Sequence, residues 1–153
     1  MALAACASKQ PAPMLPLSNF GLLQQNELIT LTTGEHEIAF MARVENDNKL
    51  MRVVAITPTG QRLFSFVRSN THLETEAGPL WPKQIPLESV WSDIEMLHAL
   101  PHAYLQANWR TENIDGGTNW YFRNTLQARV KQDAGKIALI KPQYRLTLEL
   151  LPE

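Results

Sequence analysis

This sequence predicts a mainly β fold (α+β): a curved antiparallel sheet of about eight to eleven strands with one inserted helix. Three observations carry that expectation. Apolar and polar residues alternate at period two through two long blocks of the chain. Gly-, Asn-, Asp- and Pro-bearing runs break both blocks into short segments. Only the stretch between the blocks, from Leu87 to Leu97, has helical spacing.

The period-two pattern starts at Leu28. Ile38, Phe40, Ala42 and Val44 alternate with Glu37, Ala39, Met41 and Arg43, and Glu45-Asn46-Asp47-Asn48 reads as a turn. In Lys49 to Thr57, Met51, Val53 and Ala55 form an apolar face while Arg52 marks the outer one. Pro58-Thr59-Gly60 is a tight turn. The next strand, Gln61 to Val67, sets Phe64 and Phe66 on one face, with Arg62 and Arg68 sharing their parity. A short strand around Thr71 to Thr75 completes a first meander.

Pro86 suits the first position of a helix. Leu87, Val90, Trp91, Ile94 and Leu97 make one stripe, and Pro101 ends a helix of about 14 residues, with an added turn over Pro101 to Gln106. Beyond the loop Asp115-Gly116-Gly117 the strand pattern returns. Trp120 and Phe122 share one segment; Leu126, Ala128 and Val130 alternate with Gln127, Arg129 and Lys131. Asp133-Ala134-Gly135 is a turn, Ile137 and Leu139 share a face, and Tyr144, Leu146, Leu148 and Leu150 form the cleanest strand. A sheet this long curls, and one helix cannot cover its concave face. The remaining apolar surface either collapses into a tight core or encloses an apolar guest.

The chain has 153 residues, one domain's length, with 14 basic and 15 acidic residues and a formal charge of -1. This balance gives no electrostatic footprint for nucleic acid. No run approaches the roughly 18 consecutive apolar residues of a membrane span. The single cysteine, Cys6, excludes an internal disulfide.

Leu3-Ala4-Ala5-Cys6 resembles a bacterial lipobox, in which the cysteine is acylated and the chain is cut before it. Acyl chains contribute about 0.8 kcal/mol per buried CH₂ to membrane anchoring. A secretory signal has a basic region and roughly 7–15 apolar residues before the cut, whereas only Met1 to Ala5 precede Cys6. A clipped or misassigned start and a chance match are the alternatives. Ala7 to Leu17, with Pro11, Pro13 and Pro16, reads as an extended tether. The expected organisation is therefore a lipobox remnant and tether over residues 1–19 and a single domain over residues 20–153.

Two further segments resemble the outer-membrane lipoprotein receptor family LolB. Ile56-Thr57-Pro58-Thr59-Gly60 followed by Gln61-Arg62-Leu63-Phe64-Ser65-Phe66 is similar to its strand–Pro-Leu-Gly–strand hairpin. Ile85-Pro86-Leu87-Glu88-Ser89-Val90-Trp91, closing on Leu97-His98-Ala99-Leu100-Pro101, is similar to its Ile-Pro-Leu-x-Ser-Leu helix. The likeness is greater to uncharacterised LolB-like lipoproteins, some encoded beside aryl polyene biosynthesis genes. The resemblance implies a LolA/LolB-like half-barrel with a helical lid and a hydrophobic cavity for acyl chains. It also implies a lipid anchor on the periplasmic face of the outer membrane, with Ala7 and Ser8 after Cys6 suiting that destination. The implied partners are outer-membrane lipid, hydrophobic or lipid-modified cargo, and a periplasmic carrier protein. The family's loop presents an apolar leucine to the bilayer, where this chain has Thr59. A wedge of that size is worth about 1.5–3 kcal/mol of burial, so ligand holding is expected here and insertion of cargo is in doubt.

The expected cavity is lined by Phe40, Met51, Val53, Phe64, Phe66, Trp91, Ile94, Leu97, Trp120, Phe122, Leu146 and Leu148. Aromatic residues at such spacing equally suit a filled core, which would make the chain a non-carrier envelope interaction protein. Catalysis is not expected. Glu95-Met96-Leu97-His98 has the Glu-x-x-His spacing of di-metal bundles and His102 follows, but the motif occurs once. It reads instead as a solvated helix end, with His98 near the favourable C-terminal dipole. His36 and His72 have no carboxylate at ligand spacing, Ser89 and Ser92 lie within the helix, and neither Gly-x-Ser-x-Gly nor a phosphate-binding glycine loop occurs. No cofactor and no metal are expected.

Overall fold

The computed structural model describes residues 13–100, 105 and 108–152. Among the described residues ten antiparallel strands form one curved, unclosed sheet, and a single α-helix lies in its concavity. The first meander comprises β1 (Leu23–Thr33), β2 (His36–Asn46), β3 (Met51–Ile56), β4 (Arg62–Arg68) and β5 (Leu73–Ala77). Helix α1 (Leu87–His98) follows, and then β6 (Trp109–Ile114), β7 (Gly117–Phe122), β8 (Thr125–Asp133), β9 (Lys136–Ile140) and β10 (Arg145–Leu150). The sheet order is β5-β4-β3-β2-β1-β10-β9-β8-β7-β6. Each meander pairs neighbours in sequence, and β1 against β10 joins the two, setting Ile29 opposite Leu148 and Leu31 opposite Leu146.

Tight turns set the register of the hairpins. Ala134 and Gly135 both have positive φ, 47° and 79°, the two-residue geometry that matches the twist of the flanking strands. Arg123 and Asn124 repeat it between β7 and β8, at 48° and 65°. The expected parity holds through β2 and β3, where Phe40, Ala42, Val44, Met51, Val53 and Ala55 all point inward and are buried. In β4 it breaks. The register shifts between Ala55 and Ile56, so Leu63 and Phe64 are both buried while Arg62 turns outward to Glu76 at 2.6 Å. Arg68 keeps the inward parity and is completely buried.

Five details differ from the expectation. The first strand begins at Leu23 rather than Leu28, and β2 runs through Glu45 and Asn46 before turning. Strand β6 was not anticipated, and Gly117 opens β7 instead of belonging to the loop. The helix has 12 residues and stops at His98 because Ala99 is already extended, with φ -61° and ψ 130°. Next to it, Leu100 N–H donates to the Asn19 carbonyl, outside the helical ladder. The expected turn over Pro101 to Gln106 lies outside the described residues apart from Leu105.

Residues 13–17, read as tether, belong to the folded body. Pro13, Leu15 and Leu17 are buried and lead into a 3₁₀ turn at Leu17–Phe20. Asn46 Nδ2 donates to the Leu17 and Gly21 carbonyls at 2.8 and 2.7 Å, and Leu17 N–H donates to Asn70 Oδ1 at 2.9 Å. This segment also packs on α1, where the Met14 and Leu15 N–H groups donate to Glu95. Every residue from Val90 to Leu97 is consequently buried, and α1 is enclosed rather than laid across a rim. Phe64 meets Phe40, Phe66 and Trp81 at centroid distances of 5.6, 5.0 and 5.0 Å, and Phe66 meets Trp91 at 5.4 Å. A void of about 10 Å³ lies between α1, strands β1, β2 and β4, Trp81 and the start of β10, the room of one water at most.

Candidate functional site

Two features of the concave side bear on function: a set of buried ion pairs on α1, and a cleft beside the helix C-terminus. Asp93, Glu95 and His98 turn into the protein, each toward a different part of the chain. Asp93 Oδ1 lies 2.5 Å from Lys141 Nζ, and the Tyr144 hydroxyl donates to Oδ2. Glu95 accepts the Met14 and Leu15 N–H groups at 2.9 and 3.1 Å, and its Oε1 lies 3.4 Å from Arg68 Nη1. His98 Nδ1 donates to the Ile94 carbonyl at 2.7 Å, and Nε2 meets Glu27 Oε1.

Burial raises the Asp93 carboxyl above its ordinary range, a rise that Lys141 and Tyr144 partly offset. Burial also pushes Glu95 up to about 7, against Arg68 and the two backbone donors. For His98, burial opposes the charged form, but the Glu27 carboxylate and the Ile94 carbonyl outweigh it and the value rises. Both ring nitrogens face acceptors, so the imidazolium satisfies both. Burial lowers the Arg68 guanidinium despite Glu95, and its Nε and Nη2 have no hydrogen-bond partner among the described residues. Its charge rests on Glu95 and on the Trp91 ring, 5.8 Å away.

These positions correct the expectation that Glu95 and His98 form a solvated helix end. The Glu95 side chain is fully buried and that of His98 is 4 % exposed, because the curled sheet and residues 13–20 enclose the helix. His102 and Cys6 lie outside the described residues. Among the described residues no group of three or more His, Cys, Asp and Glu side chains is placed to hold a metal ion.

The cleft of about 690 Å³ opens between the end of α1 and the second meander. Its apolar lining includes Leu97, Leu100, Leu105, Trp120, Val130 and Ile137. Toward the β6–β7 hairpin the surface becomes polar but uncharged, with Thr111, Asn113, Thr118 and Gln132 around Gly116 and Gly117. Gly117 has no room for a side chain, since a Cβ there would sit 2.1 Å from the Val130 carbonyl oxygen. The β6–β8 corner is thereby kept tight at the edge of the cleft.

Of the residues expected to line a cavity, Leu97 and Trp120 border this cleft. Phe40, Met51, Val53, Phe64, Phe66, Trp91, Ile94, Leu146 and Leu148 are buried in the core. Phe122 packs beside Trp109 at 5.2 Å. Pro58, Thr59 and Gly60 form an exposed turn between β3 and β4, closed by Gly60 N–H donating to the Thr57 carbonyl at 2.9 Å. Leu80 is exposed, while Trp81 is buried and donates to the Ile85 carbonyl at 2.9 Å. Sequence reasoning missed Glu27, Lys141 and the polar wall of the cleft. The parity of Glu27 with Ile29 and Leu31 was the available signal for the first. Among the described residues no helix is long and apolar enough to cross a membrane.

Residues 24–152 match the family described as a protein of unknown function, DUF3261, and the chain belongs to that family. No curated protein matches the chain.

Proposed function

We propose that this member of the family is an outer-membrane-anchored lipoprotein that holds an acyl-, lipoprotein- or polyene-bearing molecule and assists its transport or localisation. The observation that carries the reading is the cleft of about 690 Å³ beside the end of α1. That volume lies in the range of roughly 300–1,000 Å³ usual for small-molecule sites. Burying an apolar chain against Leu97, Trp120, Val130 and Ile137 would supply the affinity, at about 25 cal/mol per Å² removed from water. The guest sits in the second meander, because the space between α1 and the first is filled. The β3–β4 turn offers Thr59 instead of an apolar wedge, so the protein holds its guest without driving it into a bilayer.

Organic extraction of the purified protein is expected to release lipid. Titration with a conjugated-tetraene monoglyceride is expected to give saturable energy transfer from tryptophan, Trp120 being at the cleft wall. An empty extract together with no saturable transfer, from the monoglyceride or the matching free acid, would overturn the carrier reading. The solid first meander would then favour the second one, an envelope interaction protein that works through its outer surface. Anchoring has its own test: labelled palmitate is expected to enter the full-length precursor and not its Cys6→Ala variant. Equal labelling of the two would remove the anchor.

A further inference from the structure

The second meander sorts its charges by face. On β6, Arg110 and Glu112 alternate with Thr111 and Asn113; on β8, Arg129 and Lys131 alternate with Val130 and Gln132. In both strands the uncharged residues line the cleft. The charged residues lie opposite: Arg110 stacks 3.9 Å over the Tyr121 ring, and Arg129 donates to Asn119 Oδ1 at 3.1 Å. Among the described residues that line the cleft none is charged, yet one end offers amide and hydroxyl groups. The α1 C-terminus, at Met96, Leu97 and Ala99, also faces this space. Its last carbonyls bring partial negative charge, which disfavours an anion.

Resting on the carrier reading above, we infer that the cleft selects an uncharged amphiphile. Its apolar chain lies along Leu97, Trp120 and Val130. Its neutral head, an ester, amide or hydroxyl, hydrogen-bonds Asn113, Thr118 and Gln132. A charged head placed there loses its water without meeting a counter-ion. A neutral head exchanges its hydrogen bonds with water for equivalent ones from the wall.

The test is competition against the bound tetraene monoglyceride with three probes sharing one chain length: a monoacylglycerol, the free fatty acid at pH 8, and lysophosphatidylglycerol. The monoacylglycerol is expected to bind at least about tenfold more tightly than either anion. Gln132→Lys places a cation at the polar end and replaces one hydrogen-bond partner of the neutral head, so it should strengthen free-acid binding about tenfold and weaken that of the neutral probe, reversing or erasing the preference. Equal or tighter binding of the anions by the unaltered protein would overturn the inference and leave the carrier reading standing. Failure of every probe to bind would remove both. If the variant does not fold, the comparison of head groups on the unaltered protein decides alone.

Discussion

Glu95→Leu is expected to lower the free energy of unfolding by about 3–5 kcal/mol, the usual cost of removing one partner of a buried ion pair. The reason lies in what is left behind. Arg68 is completely buried, has no hydrogen bond to its Nε or Nη2 among the described residues, and loses its counter-charge. A guanidinium cannot escape by giving up its proton. The Met14 and Leu15 N–H groups also lose their acceptor. Arg68→Met should cost less than half as much, because the remaining carboxyl can escape by taking up a proton. Urea unfolding of the two variants at pH 8, where Glu95 is ionised, checks this asymmetry, and equal losses would contradict it.

The same pair gives stability an unusual dependence on pH. Glu95 titrates near 4.5 when the chain is unfolded and near about 7 when it is folded. Below 4.5 both states hold the proton. Between the two values only the folded state does, so the contribution present in acid is lost as pH rises through about 7, and it amounts to roughly 3 kcal/mol. His98 acts in the same direction, its contribution being complete below 6.5 and lost as pH rises through its elevated folded value. Asp93 is raised as well and has the same sign. Urea midpoints are therefore expected to be higher at pH 5 than at pH 8. Glu95→Gln should flatten the fall between 4.5 and 7, and a midpoint that climbs over that interval in the unaltered protein would refute the account.

Trp91→Ala is the second large effect, expected to cost about 3–5 kcal/mol as a large-to-small change in a filled core. Trp91 is fully buried against Phe66 and Arg68. Removing the ring also uncovers the guanidinium. Trp120→Ala should cost no more than half of this, since its side chain already borders open space and the deletion merely enlarges the cleft. A reversal of that order would place the packed and open halves of the concavity the other way round.

The strands that could be read from the sequence are those with one wet and one dry face. The alternation in β2, β3 and β10 follows directly from burial on one side, and the turn at Asp133-Ala134-Gly135 from the backbone it requires. Strand β6 escaped because it is an edge strand, with only Trp109 buried and Thr111 and Asn113 facing the cleft. The buried charges escaped for a different reason. Glu27 and Arg68 lie on the apolar parity of their strands, but their partners come from α1, distant in the chain. Nothing local announces such a pairing. Prolines likewise suggested a free tether at residues 13–17, where Leu15 and Leu17 in fact dock. For the candidate site, Leu97 and Trp120 were legible as apolar stripes. The Asn, Thr and Gln wall was not, since uncharged polar residues look alike whether they face solvent or a guest.

The pairing of β1 with β10 has a consequence for how the molecule is made. Glu27 lies against Leu150, so the seam in the middle of the sheet closes only after the chain has been synthesised through β10. Until then the first meander exposes a long edge at β1, where backbone donors and acceptors await a neighbour and another chain could add on. Assembly is therefore governed by contacts remote in sequence, which places it among slowly folding β proteins. A partner that masks the β1 edge during synthesis would raise the yield of native protein without altering its final stability.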